Sequence, residues 1–466
     1  MNETQLGDAT NSAENNTKTK QTGKKQLANG FDFSKGTQGL DADSAALIER
    51  RKRVLGTLGP LFYNQPIHVV RGQGAHLFDA QGNDYLDCYN NVACVGHANA
   101  HVREAVADQL TRQDTHSRYL QDEVLDYAER LLGYFPQALD HVSFTNSGSE
   151  SNDLALRMAR AYTGNRGVVV TSNAYHGITD LVASISPSFG TGIPLASFLA
   201  TVEVADVLKN PGPDAEEILL GRFEAAFRQL HDAGYGVSAV LLDQIFSSDG
   251  VLPGAPGWVG RVAQAAHEAG GLLIADEVQS GFARTGDAFW GFQRHNADAD
   301  IVTMGKPMGN GIPTGAVVYK TPIGDRFAEC TRYFNTFGGN PVSMRAASAV
   351  LDEIEQRELL RHAETIGDRI AGELESLLGD TPGFGGIRHA GLFIGLDITS
   401  RDNRGLPDPA ATQRIVDELR TRKVLISASG ADASTLKLRP PLVFSGADAD
   451  RLLDAMQQVK SVGLLR

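Results

Sequence analysis

Short apolar runs alternate with stretches in which apolar residues recur every three or four positions, between about residues 100 and 330. Short, continuously apolar runs are typical of buried strands, and the spacing between them is typical of helices. The strand-like runs lie at 141–144, 167–170, 239–242, 271–275, 301–303 and 315–318. This alternation predicts an α/β domain in which helices cover a mostly parallel sheet.

The regions on either side of this domain have different patterns. Residues 75–88 alternate apolar and polar positions around a turn at 80–83, which predicts a β-hairpin. From residue 346 onward, a long helix pattern precedes the apolar run 391–397 and further helix and strand patterns. That order predicts a second, smaller α+β domain.

These patterns divide the chain into four parts. Residues 1–40 are rich in Asn, Thr, Gly and Lys and are expected to be a disordered tail. Ordered structure is expected to begin with a capped helix at Asp43. We expect residues 41–99 to contribute to the small domain, residues 100–345 to form the large domain, and residues 346–466 to form the rest of the small domain.

Composition and charge narrow the class of protein. The chain has 466 residues, 42% of them hydrophobic, and a formal net charge of −13, which argues against nucleic acid as a general partner. No apolar run approaches the ~20 residues that cross a bilayer, and the first residues lack the apolar centre of a signal peptide. Three cysteines, Cys88, Cys94 and Cys330, predict neither a disulfide framework nor a metal site, so we expect a metal-free cytoplasmic protein.

Two polar residues at the ends of apolar runs indicate cofactor chemistry. Lys306 follows one strand-like run in a glycine-rich turn, and Asp276 ends the preceding run. A lysine that forms an imine and an aspartate that keeps a pyridine nitrogen protonated are what pyridoxal phosphate requires. Taken singly, a surface lysine and an ion-paired or helix-capping aspartate would account for the same residues.

Two further motifs also follow predicted strands. Ser147, Gly148 and Ser149 join a strand to a helix, where free N–H groups and the helix dipole can bind phosphate, although Ser favours ordinary helix caps as well. Tyr175 could stack on a flat ring or simply cover the sheet edge. The neighbouring His176 is, taken alone, more typical of a structural hydrogen-bonding residue than of a catalyst. The carboxyl ends of strands are where open α/β sheets bind ligands.

The order and spacing of these motifs resemble the class III aminotransferase family of fold-type I pyridoxal phosphate enzymes, over roughly residues 45–464. The matching motifs are Asn146-Ser147-Gly148-Ser149-Glu150, Tyr175-His176-Gly177, residues 276–286, Lys306 and residues 336–341. The resemblance implies a large domain with a mostly parallel seven-stranded sheet, a smaller α+β domain, and pyridoxal 5′-phosphate as cofactor. It also implies a homodimer with shared active sites, and leaves open whether dimers pair into tetramers.

The resemblance assigns the cofactor ring to five residues. Lys306 and Asp276 are the expected catalytic residues, the first carrying the cofactor and the second pairing with its ring nitrogen. Tyr175 stacks on one face of the ring, Val278 packs on the opposite face, and Gln279 lies near the ring hydroxyl.

The cofactor phosphate is assigned to other residues. Gly148 and Ser149 hold it, and Thr336 reaches the phosphate bound in the partner subunit. The full expected cofactor-binding set is Ser147, Gly148, Ser149, Tyr175, His176, Asp243, Asp276, Val278, Gln279, Lys306 and Thr336.

Segments 89–97, 305–311 and 436–442 resemble the branch of the family that contains ethanolamine-phosphate phospho-lyases and their hydroxylysine-phosphate relatives. That branch eliminates phosphate and does not transaminate; Ala93 stands where those relatives usually have proline. The expected reaction converts O-phosphoethanolamine, or a similar phosphorylated amine, to acetaldehyde, ammonia and phosphate. The alternatives are a class III aminotransferase that uses pyruvate or another keto acid, and a cofactor-binding protein without turnover.

The candidate substrate site also differs from that of many class III transaminases. Many class III transaminases have a Glu-Pro-x-x-Gly-Glu pattern, whose last glutamate pairs with the substrate-binding arginine when no carboxylate is bound. Here Ser248 takes the place of that glutamate, so Arg439, the matching arginine, is expected to lack this partner. A lyase with a single substrate needs no such gate. Arg439, Asn90 and Arg118 are the candidate substrate-binding residues, and an ion pair is the other interpretation of Arg118.

Overall fold

The structure is a computed structural model that describes residues 30–402 and 405–464. Most of the predicted disordered tail lies outside the described residues. Its last part, however, contains a 3-10 helix at Phe33–Lys35. Among the described residues, no helix is long and apolar enough to cross a membrane.

The first α-helix begins at Ala42, slightly before the expected start at Asp43. The reason is that Asp41 is the cap: its side chain accepts a hydrogen bond from the Ser44 N–H at 2.9 Å. Several neighbouring residues here can cap a helix, so the sequence pattern could not choose among them.

The elements in the described residues are as follows. The α-helices are α1 (Ala42–Leu55), α2 (Ala100–Leu110), α3 (Asp122–Leu132), α4 (Gly148–Thr163), α5 (Asp180–Ala183), α6 (Ala205–Lys209), α7 (Ala215–Asp232), α8 (Trp258–Glu268), α9 (Gly291–Arg294), α10 (Thr321–Cys330), α11 (Pro341–Gln356), α12 (Leu359–Leu378), α13 (Pro409–Thr421) and α14 (Gly446–Ser461). The strands are β1 (Val69–Gln73), β2 (His76–Asp79), β3 (Asp84–Asp87), β4 (His141–Thr145), β5 (Gly167–Thr171), β6 (Leu199–Val202), β7 (Val237–Asp243), β8 (Leu272–Asp276), β9 (Ile301–Met304), β10 (Gly315–Tyr319), β11 (Phe384–Ala390), β12 (Phe393–Ile398), β13 (Val424–Leu425), β14 (Ser427–Ser429) and β15 (Thr435–Leu438). A second 3-10 helix spans Pro187–Phe189.

A seven-stranded sheet in the order β4-β10-β9-β8-β7-β5-β6 forms the centre of the large domain. Strands β5 to β9 pair in parallel, while β10 runs antiparallel to both β4 and β9. Every residue of β8 and β9 is buried, as expected for strands covered by helices on both faces. The predicted α/β class and mostly parallel sheet are confirmed; strand β6 was not predicted.

The register of the central strands aligns three polar residues at one edge of the sheet. Asp243 of β7 pairs with Asp276 of β8, and Asp276 pairs with Thr303 of β9. Because parallel strands end at the same edge, the side chains beyond them converge there.

Two smaller sheets accompany the central sheet, and one of them combines N-terminal and C-terminal strands. One has the order β1-β2-β3-β13, in which the predicted hairpin β2–β3 is present and β3 pairs in parallel with β13. The other has the order β11-β12-β15-β14. Strand β15 leads directly into Arg439, so this sheet determines where that arginine lies.

Candidate active site

A cavity of about 250 Å³ opens where β7 and β8 end. Its walls include Ser147, Gly148, Ser149, Tyr175, His176, Asp243, Asp276, Val278, Gln279 and Lys306. The structure therefore brings together every residue of the predicted cofactor-binding set except Thr336. The individual contacts that these residues would make with the cofactor stay predictions.

One end of the cavity is the first turn of α4. The Ser147 hydroxyl caps the helix by accepting a hydrogen bond from the Glu150 N–H at 3.2 Å. The N–H groups of a first turn have no partner within the helix, and the helix dipole favours an anion there. A Cβ on Gly148 would lie 2.7 Å from a Val278 methyl group, and a Cβ on Gly177 would lie 2.8 Å from the Cβ of Ser149. Both glycines therefore let protein segments pack closely around this helix start, whose free N–H groups fit a phosphate group.

A buried carboxylate also lines the cavity. Asp276 Oδ2 accepts hydrogen bonds from His176 Nδ1 at 2.7 Å and from Asn152 Nδ2 at 2.9 Å. Asp276 Oδ1 accepts one from the Val278 N–H at 3.0 Å. These donors fix the orientation of the carboxylate, which can accept a hydrogen bond from a protonated pyridine nitrogen. His176 also acts as a structural hydrogen-bonding residue, because its ring is buried against this carboxylate.

An aromatic and an aliphatic side chain line the same cavity. The Tyr175 ring packs edge to face against Phe189, with ring centres 5.4 Å apart. Burial, together with the negative charge of Asp276, raises the pKa of Tyr175, so its phenol stays neutral. Val278 is the aliphatic wall and is itself buried. Such walls accommodate a flat heteroaromatic ring.

Lys306 follows β9 and lines the same cavity. Burial, and then the positive charge of Arg439, lower the pKa of Lys306 to about 8, although Asp276 and Asp243 oppose the change. A lysine with this pKa is partly neutral near neutral pH and can act as nucleophile and base. The amine, the held carboxylate and the glycine-lined helix start together fit pyridoxal phosphate.

A second cavity of about 400 Å³ adjoins the first and shares Val92 and Lys306 with it. Two of the candidate substrate-binding residues, Asn90 and Arg439, line it. The guanidinium of Arg439 lies over the Tyr89 ring, 4.3 Å from the ring centre. Much of the remaining wall is apolar, namely Leu61, Phe62, Pro66, Ile67, Val69, Leu77 and Leu425, and Tyr63, Asp87 and Asn91 also line it.

Arg439 does have a partner within the protein, although not the glutamate used by many transaminases. Its Nη1 donates a hydrogen bond to the side-chain oxygen of Gln279. Gln279 Nε2 donates in turn to Ser247 Oγ at 2.6 Å, and Ser247 Oγ donates to Asp243 at 2.5 Å. Gln279, expected near the ring hydroxyl, thus also connects the arginine to the end of β7.

Sequence reasoning missed Lys437, which contacts the same glutamine. Its Nζ lies 3.4 Å from Gln279 Oε1 and 3.2 Å from the Ser247 carbonyl oxygen, and the residue is only 5% exposed. Burial, and then the charge of Arg439, lowers the pKa of Lys437 well below its ordinary value. A signal was present: Lys437 and Arg439 are two positions apart at a strand end, so both can point to one side.

Arg118 and Thr336 lie away from both cavities and are exposed. The guanidinium of Arg118 packs over the Phe334 ring, 3.5 Å from its centre. In the described part of the chain its contact is therefore an aromatic ring and not a carboxylate. Within one subunit the structure brings neither residue to the cavities.

Comparison with known proteins agrees with this geometry. The family model described as aminotransferase class-III matches residues 62–459. A Drosophila melanogaster protein described as alanine–glyoxylate aminotransferase 2-like is 37% identical over 419 residues, covering 87% of this chain and 85% of that protein. A Caenorhabditis elegans protein described as ethanolamine-phosphate phospho-lyase homolog 1 is 34% identical over 433 residues, covering 89% and 92%.

One solved structure is similar to this chain along nearly its whole length. It is a phospholyase from Arthrobacter in complex with phosphoethanolamine, 44% identical, with a TM-score of 0.86 over 89% of this chain and 99% of that one. The family match spans most of the chain, and the family has the fold and the cofactor that the cavity fits. This chain belongs to the class III aminotransferase family of fold-type I enzymes, which use pyridoxal 5′-phosphate.

Proposed function

We propose that this enzyme is a phospho-lyase that eliminates phosphate from O-phosphoethanolamine or a similar phosphorylated amine. The observation that carries the proposal is the pair of basic residues at Gln279. Arg439 and Lys437 both contact the neutral side-chain oxygen of Gln279, next to Lys306. In the described residues neither one forms an ion pair with a carboxylate. Arg439 lines the second cavity, whereas Lys437 is buried beside it at Gln279, so an anion that enters this cavity would contact Arg439 and be attracted by the charge of both.

A phosphate group suits this pair. It carries close to two negative charges at neutral pH and several acceptor oxygens, so it can use both basic residues at once. The negative charge of the phosphate would also favour the protonated form of Lys437, which burial disfavours. Ser248, at the position of the transaminase gate, brings no carboxylate to compete for Arg439.

The comparisons support the same direction. The Arthrobacter phospholyase was solved with phosphoethanolamine bound, and the Caenorhabditis elegans relative carries the name of an ethanolamine-phosphate phospho-lyase. The Drosophila melanogaster relative carries an aminotransferase name at slightly higher identity than the latter. An aminotransferase that uses pyruvate or another keto acid is therefore the second candidate.

The proposed reaction uses residues of both cavities. Bound pyridoxal phosphate supplies an electron sink next to the substrate nitrogen. The free amine of Lys306 would take the proton from the carbon that bears this nitrogen. The C–O bond on the neighbouring carbon then breaks, and its electron pair leaves with the phosphate, which Arg439 contacts and the charge of Lys437 attracts. With one water molecule, O-phosphoethanolamine gives acetaldehyde, ammonia and phosphate.

The test omits any keto acid. Holoenzyme incubated with O-phosphoethanolamine should release phosphate and acetaldehyde in equal amounts over many turnovers. Lys437→Met should lower kcat/KM about 100-fold or more, since truncating one partner of a buried charged contact is costly. The Lys437→Met variant should keep the visible absorbance spectrum of the bound cofactor. Lys52→Met, at an exposed position of α1, is the matched control and should change neither.

Other outcomes would decide against the lyase. Turnover that appears only after pyruvate or another keto acid is added would favour the aminotransferase. Absence of turnover with phosphorylated and unphosphorylated amines, with or without a keto acid, would favour a binding protein.

We also propose a cytoplasmic homodimer with shared active sites. Thr336 adjoins Phe337, which is 69% exposed, and Leu120 is 98% exposed, so apolar surface is available for a partner. Light scattering would measure the subunit number. Mixing a Lys306→Ala variant with a Thr336→Ala variant should restore part of the activity if each site uses residues of two subunits.

A further inference from the structure

Four buried polar side chains form a cluster at the wall of the cofactor cavity: Asn152, His176, Asp276 and Thr303, here called the Asp276 cluster. Each of them is at most 4% exposed, and Asn152 and Thr303 are fully buried. Asn152 Nδ2 donates to Asp276 Oδ2 at 2.9 Å and to the His176 carbonyl oxygen at 2.8 Å. Thr303 Oγ1 donates to Asn152 Oδ1 at 2.6 Å.

These contacts fix the orientation of the Asn152 amide. Its nitrogen faces two acceptors, and its oxygen faces a hydroxyl donor. Reversing the amide would place the oxygen against the Asp276 carboxylate and a carbonyl oxygen, with no donor between them. Thr303 therefore determines which atom of Asn152 meets Asp276.

The donors around Asp276 do not cancel its charge. The Asn152 amide and the Val278 N–H are neutral. In the described residues, His176 Nε2 is buried without a hydrogen-bond partner, so a second N–H on this ring would have no acceptor. A single N–H, donated from His176 Nδ1 to Asp276, is what this environment accommodates. The negative charge of Asp276 is thus oriented but left for a group in the cavity.

The cluster also joins separate parts of the cofactor site. Asn152 is four residues after Gly148, about one turn along α4, so the helix that begins at the phosphate end also reaches Asp276. Thr303 lies in β9, three residues before Lys306. Movement of any one part would strain hydrogen bonds to the others.

We infer that Asn152 is a positioning residue that aims the Asp276 carboxylate at the ring nitrogen of the cofactor, and that Thr303 positions Asn152. Neither residue contacts the cavity, so both act through Asp276. The inference holds for elimination and for transamination alike, because both need the ring nitrogen protonated. It therefore does not depend on the proposed substrate.

The test measures cofactor binding in place of turnover. Asn152→Asp replaces the amide donor with a second carboxyl group of nearly the same size. Removal of a hydrogen bond to a charged group should weaken pyridoxal phosphate binding about 10- to 100-fold, measured by equilibrium dialysis. The pH dependence of the visible cofactor absorbance should shift as well, which a purely structural defect would not cause. Gln109→Glu, a buried amide in α2, is the control and should leave both unchanged.

A second pair of variants serves if Asn152→Asp fails to fold. Thr303→Val keeps the side-chain shape but removes the donor to Asn152, and should weaken cofactor binding about 3- to 10-fold. Thr303→Ser keeps the hydroxyl and should restore binding to within about 2-fold of the parent. Parental affinity and an unchanged absorbance–pH profile in Asn152→Asp, or in Thr303→Val, would overturn the inference.

Discussion

The contact between Gly148 and Val278 allows a sharp test of the cofactor cavity. A Cβ on Gly148 would lie 2.7 Å and 2.8 Å from the two Val278 methyl groups. Carbon atoms pack best at ~3.5 Å or more, so the valine must move by about 0.8 Å. In the apoenzyme it can move into the cavity that it lines. In the holoenzyme the cofactor ring would occupy that space, so the strain should appear as weaker binding.

The magnitude follows from known effects of overpacking. Extra methyl groups in a packed site cost about 1–3 kcal/mol, so Gly148→Ala should weaken pyridoxal phosphate binding about 5- to 150-fold. Apoenzyme stability should not fall in parallel, because Ala is a better helix former than Gly by up to about 1 kcal/mol. Equilibrium dialysis gives the first quantity, and urea unfolding of the apoenzyme gives the second.

A double variant checks the cause. Val278→Ala removes both methyl groups and leaves its Cβ 3.4 Å from the new atom, an ordinary contact. Gly148→Ala combined with Val278→Ala should therefore bind the cofactor as Val278→Ala alone does. Gly221→Ala, in α7, meets no atom within 4 Å and should leave cofactor binding unchanged. Unaltered affinity in Gly148→Ala, or additive losses in the double variant, would refute the packing argument.

Three further outcomes are expected. Lys306→Ala should bind the cofactor without developing the visible absorbance of the lysine-linked form; an unchanged spectrum would show that another lysine carries it. The rate at which apoenzyme combines with the cofactor should rise with pH and level off above about 8, the pKa to which burial lowers Lys306, and Arg439→Gln should move this inflection upward; stopped-flow absorbance at several pH values measures both. Burial raises the pKa of Glu277 from 4.5 to about 7. The folded state then binds this proton more tightly than the unfolded state, so stability should fall as pH rises from 4.5 to about 7, by up to ~3 kcal/mol. Glu277→Gln should flatten this dependence in urea unfolding, and an equal slope in both proteins would contradict it.

Much of the cofactor site could be predicted because its chemistry lies at the ends of apolar strands. Asp276 ends β8, and Lys306 follows β9 by two residues. Parallel pairing in register aligns Asp276 with Asp243 and Thr303, whatever the loops between the strands do. The strand pattern, together with the sheet edge at which parallel strands end, was therefore sufficient to predict that these residues lie close together.

Contacts between distant segments could not be predicted in this way. Lys437 reaches Gln279 across 158 positions, and its place depends on how β15 pairs with β12 and β14. The sequence makes Arg118 a candidate substrate ligand, yet in the structure it packs on Phe334, a residue far along the chain. Strand β6 was not predicted because it is short and only partly buried, so its apolar pattern is weak.

The parallel pairing of β3 with β13 has a consequence for synthesis of the chain. Leu86 pairs with Val424, and the Arg439 N–H donates to the Cys88 carbonyl oxygen at 2.9 Å. A ribosome makes the N-terminal hairpin first, so one edge of β3 waits without its strand partner until nearly the whole protein has emerged. During that interval an open strand edge is prone to pairing with other chains. We therefore expect the substrate half of the site to form last, and chaperones to raise the yield of this enzyme more than they raise the yield of its cofactor domain alone.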